Sequence, residues 1–117
     1  MILTLSLVAL GGAAGSVLRY LAVLAVGAPL GTFIVNLLGS FAIGVLFVTL
    51  GGRGPLVALF MTGLLGGFTT FSAFSLDALK LWQAGQGGQA LLYVGASVIL
   101  SLVAVALGAS LAKGFVA

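Results

Sequence analysis

Gly63-Leu64-Leu65-Gly66-Gly67-Phe68-Thr69-Thr70-Phe71-Ser72-Ala73-Phe74-Ser75 interrupts an otherwise long apolar segment and is the least lipid-like stretch of the chain at membrane depth. Its three glycines contribute little helix propensity, and its four hydroxyl side chains between Thr69 and Ser75 offer the backbone alternative hydrogen-bond partners. A helix entering this stretch is therefore expected to break or unwind. Inside a bilayer, freed carbonyl and N–H groups cannot face hydrocarbon, so irregular backbone is tolerated only where protein buries it or where it lines an aqueous cavity. Two readings follow: a functional site, or a kinked helix whose glycines let a neighbour approach closely.

Working outward, the composition excludes most other classes. Of 117 residues, 62% are hydrophobic and 4% charged, which leaves no material for the mixed charged surface of a soluble domain and marks an integral membrane protein. The sequence pI of about 10.0 comes from Arg19, Arg53, Lys80 and Lys113, scattered singly, so there is no basic patch for nucleic acid. Cysteine and histidine are absent, which removes disulfides, thiolate chemistry and nearly every zinc site. Asp77 is the single carboxylate, so paired-carboxylate catalysis within one chain is excluded and an enzyme is not expected. Met1-Ile2-Leu3-Thr4 lacks the basic region of a signal peptide, and the first apolar run is read as a retained span.

Punctuation divides the chain into one transmembrane domain over residues 1–117, with four spans at about 2–25, 32–50, 56–81 and 89–112. The separators are Val26-Gly27-Ala28-Pro29-Leu30-Gly31, Gly51-Gly52-Arg53-Gly54-Pro55 and Ala84-Gly85-Gln86-Gly87-Gly88. Connections this short place consecutive helices antiparallel and adjacent. The fold class is all-α, with the break in the third span. Lys and Arg set orientation, and here they divide two against two: Arg53 and Lys113 on one side, Arg19 and Lys80 toward the other. A chain with no charge bias is expected to insert both ways round in the cell membrane. Two copies of opposite orientation would then form an antiparallel homodimer.

Three further spans carry polar stripes. Gly11, Gly15 and Arg19 stand at four-residue steps in the first, which reads either as an interfacial anchor or as a cation at an anion-attracting vestibule. Thr32, Asn36 and Ser40 repeat the spacing in the second, where the Asn36 amide is either interhelical glue or a pore donor. Tyr93, Ser97 and Ser101 repeat it in the fourth. With Phe71 and Phe74 at i, i+3 on the broken span, the stripes converge on one polar seam. That seam is rich in donors and poor in carboxylate, which favours an anion. The positive edge of a phenyl ring can touch an anion weakly, as stepwise conduction needs. With no titratable group at mid-span, passive conduction is expected rather than coupled transport.

Gly66-Gly67-Phe68-Thr69-Thr70-Phe71-Ser72-Ala73-Phe74 resembles the signature of the small bacterial fluoride channels, the Fluc or CrcB-type family. Gly12-Ala13-Ala14-Gly15-Ser16-Val17-Leu18-Arg19-Tyr20 and Gly31-Thr32-Phe33-Ile34-Val35-Asn36-Leu37-Leu38-Gly39-Ser40 are similar to its other two blocks, and the likeness extends over all four spans. The resemblance implies a dual-topology antiparallel homodimer in the bacterial inner membrane, with two pores that export fluoride passively. It implies that Phe71 and Phe74 are paired pore phenylalanines, Asn36 the pore amide and Arg19 the vestibule arginine. Tyr93, Ser97 and Ser101 would form a polar track, with Thr32 and Ser72 on the same fluoride path. It also implies a structural sodium ion held by the backbone carbonyls of Gly66 and Thr69 from both copies. Ala73 departs from the pattern, where threonine is expected, so one hydroxyl is missing or replaced by a neighbouring serine. A small dual-topology multidrug exporter is the alternative, similar in size only. Such exporters use a membrane-embedded glutamate, and the first span here has no acid.

Overall fold

A computed structural model describes residues 1–116. Five helices follow in order: α1 (Ile2–Val26), α2 (Leu30–Leu50), α3 (57–68), α4 (Phe71–Gln83) and α5 (Gly87–Val116). Together α3 and α4 make the third of four spans long and apolar enough to cross a membrane, the shortest having 21 residues. At about 1.5 Å per residue, even that one covers the ~30 Å hydrocarbon core. The start of the fourth span moves relative to expectation: Gly87 and Gly88 open α5 instead of belonging to a loop. The turn before it is closed by Gly85 at φ +79. Its N–H donates to the Trp82 carbonyl and the Gln86 N–H to that of Leu81, a paired cap that satisfies the end of α4 in three residues.

Close packing is carried by glycine against backbone. A Cβ at Gly11 or Gly15 would land on the carbonyl oxygens of Leu59 and Leu64, so α1 lies directly against α3. On the other side, a Cβ at Gly44 or Gly108 would strike the Val105 and Phe41 carbonyls, so α2 and α5 are pressed together in the same way. Between these pairs sit the most buried side chains, Thr32 and Val35, each 1% exposed. Outer positions such as Leu10, Leu24 and Leu92 are exposed and apolar, as a lipid-facing surface requires. Within the chain, only 11% to 22% of each span is buried. Much of each helix surface is therefore left uncovered by the rest of the chain.

The third span differs from a simple kinked helix. Val57–Leu65 is π-helical, with the wider i to i+5 bonding that recurs near functional sites, and it closes in the single α-helical turn Gly66–Phe68. Thr69 (φ −93, ψ 156) and Thr70 (φ −151, ψ 123) are then extended, and helix resumes at Phe71. The break thus falls on the two threonines. The three glycines, expected to unwind the helix, remain helical: Gly63 meets the Gly11 Cα, and a Cβ at Gly67 would meet the Gly12 carbonyl at 2.5 Å and the Ser16 N–H at 3.0 Å. Gly63 and Gly67 thus give α1 its close approach, whereas a Cβ at Gly66 would meet no atom of α1.

Candidate functional site

An interrupted helix leaves carbonyls at the end of α3 and N–H groups at the start of α4 without intrahelical partners. Side chains from three elements address them. The Thr70 hydroxyl caps α4 by accepting from the Ala73 N–H at 3.1 Å. From α2, Asn36 takes both polar groups of the Thr70 backbone: its Nδ2 donates to the Thr70 carbonyl at 3.0 Å, and its Oδ1 accepts from the Thr70 N–H at 2.8 Å. From α1, the Arg19 Nε donates to the Gly67 carbonyl at 3.0 Å. Gly39, one turn after Asn36, leaves room for the Thr69 side chain, since a Cβ there would collide with Thr69 Cγ2. The four-residue stripes of α1 and α2 are thus the means by which the neighbouring helices hold the break.

Beside the break lies a groove of about 430 Å³ between α2, α3, α4 and α5. Among the sequence-derived candidates, Asn36, Gly66, Thr69, Phe71, Phe74, Ser97 and Ser101 line it. Phe74 is buried at 7% exposure, whereas Phe71 is 77% exposed, and their ring centroids lie 5.6 Å apart at 43°. Ser97 is buried, and its Oγ has no hydrogen-bond partner among the described residues. The Asn36 Nδ2 carries two hydrogens and gives one to Thr70, so it retains a donor. Unfilled donors along an apolar groove at membrane depth are what an anion lacking its water shell would seek.

Four candidates stand apart from the groove lining. Arg19 is half-buried and committed through Nε to the break. Thr32 is buried, 1% exposed, and does not line the groove. Ser72 is exposed on the outer side of α4, with its Oγ 3.4 Å from that of Thr70. Tyr93 directs its hydroxyl away from the groove, to Asp77. Conversely, the structure brings in residues to which no role had been assigned. Ser40 lines the groove, and its place one turn beyond Asn36 was the available signal. Thr70 supplies the backbone that Asn36 reads. Asp77 is buried at 8% exposure and accepts from the Tyr93 Oη at 3.2 Å; its position three residues after Phe74, on the same helix face, pointed to it.

Comparison with known proteins gives the family. The family model described as "CrcB-like protein, Camphor Resistance (CrcB)" matches residues 6–109. A protein of Cereibacter sphaeroides named fluoride-specific ion channel FluC is 51% identical over 124 residues, covering 100% of both chains. A Paracoccus denitrificans protein of the same name is 49% identical, covering 94% of each, and one of Helicobacter acinonychis is 45% identical, covering 92% of this chain and 94% of its own. With a family model that spans all four helices and relatives near half identity over their whole length, the chain belongs to the CrcB-like family.

Proposed function

We propose that this chain is a fluoride-specific ion channel of the cell membrane, passing fluoride passively outward and so lowering its internal concentration. The observation that carries the reading is the row of unfilled donors, the buried Ser97 hydroxyl and the second Asn36 N–H, along a groove whose aromatic wall is Phe71 and Phe74. A small anion that has shed water can be handed between such weak partners without being trapped. The protein is a channel and not an enzyme. The multidrug exporter reading has no support from the family match or from the names of the relatives.

Two copies in antiparallel orientation complete the pathway in this reading. Phe71 is 77% exposed in one chain although it lines the groove, and a second copy would cover it. The even division of basic residues supports insertion both ways round. Sodium fits the break on hydrogen-bond grounds. The N–H four residues after Gly66 is given to Asn36, and the one four residues after Thr69 is given to the Thr70 hydroxyl, so both carbonyls are left as acceptors. From two chains they would hold a monovalent cation, whose charge would raise the potential felt by anions nearby. The test is fluoride efflux from proteoliposomes containing the purified protein, read with a fluoride electrode. Selective fluoride release is expected. Release of no fluoride, or equal release of chloride, would refute the reading.

A further inference from the structure

Asp77 is the one acidic residue of the chain, and it is buried within a membrane span, 8% exposed. An ionisable group so placed calls for a reason, because desolvating it is unfavourable unless its partners do something in return. Its side-chain partner among the described residues is the Tyr93 hydroxyl, at 3.2 Å. The same tyrosine touches a second residue of α4: its ring centroid lies 5.3 Å from that of Phe74, at 45°. Phe74 and Asp77 are three residues apart and so share one helix face. Tyr93 therefore grips α4 at two points, hydroxyl on Asp77 and ring on Phe74. Next in line, Phe74 meets Phe71 at 5.6 Å and 43°. A run of contacts leads from the carboxylate through the phenol to both rings of the groove wall.

This grip matters because α4 is only 13 residues long and starts at a break. Its N-terminal end is held by Asn36 through Thr70, and beyond that its main neighbour within the chain is α5. Ring edges act on an anion only while their orientation is held, since the face of the same ring is negative. A ring contact alone leaves Tyr93 free to slide or tilt, whereas a directional hydrogen bond to Asp77 fixes its axis.

We propose that Asp77 is a positioning residue of the pore: by anchoring the Tyr93 hydroxyl it sets the orientation in which Phe74, and through it Phe71, presents a ring edge to the ion. This rests on the reading that the two phenylalanines touch fluoride. The role belongs to the acceptor oxygen and its place, not to the negative charge.

The experiment compares Asp77→Asn, Asp77→Ala, Tyr93→Phe and the double variant Asp77→Ala/Tyr93→Phe as full chains in proteoliposomes, reading fluoride and chloride efflux, with dimer assembly checked by size exclusion. Asp77→Ala is expected to lower fluoride flux on the order of tenfold, the upper end of what one oriented aromatic contact is worth. It should also lower the fluoride-to-chloride ratio, which a merely structural loss in an assembled dimer would leave alone. Asp77→Asn keeps an acceptor oxygen and should restore both. The double variant removes both partners, leaves no unpaired buried group, and should match the worse single variant without exceeding it. If Asp77→Ala does not assemble, the double variant decides: a reduced fluoride flux with a lowered fluoride-to-chloride ratio in an assembled dimer supports the inference. Wild-type flux and ratio in Asp77→Ala or in the double variant would overturn it, as would an Asp77→Asn defect equal to that of Asp77→Ala, which would assign the role to charge. Failure of the wild-type protein to pass fluoride would instead refute the channel reading itself.

Discussion

Replacing Asn36 tests the break most directly, because one side chain satisfies both polar groups of Thr70, at 2.8 and 3.0 Å. In Asn36→Asp the Oδ acceptor for the Thr70 N–H is kept and the donor to the Thr70 carbonyl is lost. In Asn36→Leu, of similar size, both are lost. A buried backbone group left unpaired costs about 1–3 kcal/mol, so the aspartate variant should lose roughly that much and the leucine variant about twice as much. Asn36 is half-buried, which favours the lower half of each range because water can partly replace the amide. Thermal unfolding followed by circular dichroism in detergent gives the ranking, and hydrogen exchange at the Thr70 amide gives its location. Fluoride efflux should fall in both variants, since each also removes the donor facing the groove. Equal stability of the leucine and aspartate variants, or an unchanged Thr70 exchange rate in Asn36→Leu, would refute the reasoning that the amide holds the break.

Phe71→Ile keeps an apolar side chain without the ring quadrupole, so fluoride flux should fall sharply while size exclusion still shows a dimer. Gly15→Ala places a methyl group on the Leu64 carbonyl; backbone cannot yield as a side chain can, and melting should show a loss of at least about 1–3 kcal/mol. Two lysines added to residues 84–86 should bias insertion toward one orientation, read by labelling a single introduced cysteine from each side of the membrane. Exchange of sodium for a large organic cation should lower dimer stability and fluoride flux together, and an unchanged melting temperature would argue against a cation at Gly66 and Thr69.

The membrane class, the number of spans and the existence of a break in the third were all legible from residue order, because each rests on local composition. A run of about 20 apolar residues spans a bilayer whatever its neighbours are, and a cluster of hydroxyls and glycines weakens a helix wherever it lies. Polar spacing also marked Asn36, Ser97, Phe71 and Phe74 as residues of one seam. Spacing cannot say, however, which group a side chain will meet. Gly63 and Gly67 stay helical where α1 presses against them, and the extended residues are Thr69 and Thr70 because Asn36 and the Thr70 hydroxyl take the hydrogen bonds a helix would use. Arg19 meets the Gly67 carbonyl 48 positions away, and Tyr93 meets Asp77 across two helices. Nothing in the order of residues announced the π-helical geometry of Val57–Leu65. Free backbone groups in hydrocarbon must find partners, but the partner is whichever side chain the packing of other helices brings within about 3 Å, and that is decided only when the helices are assembled.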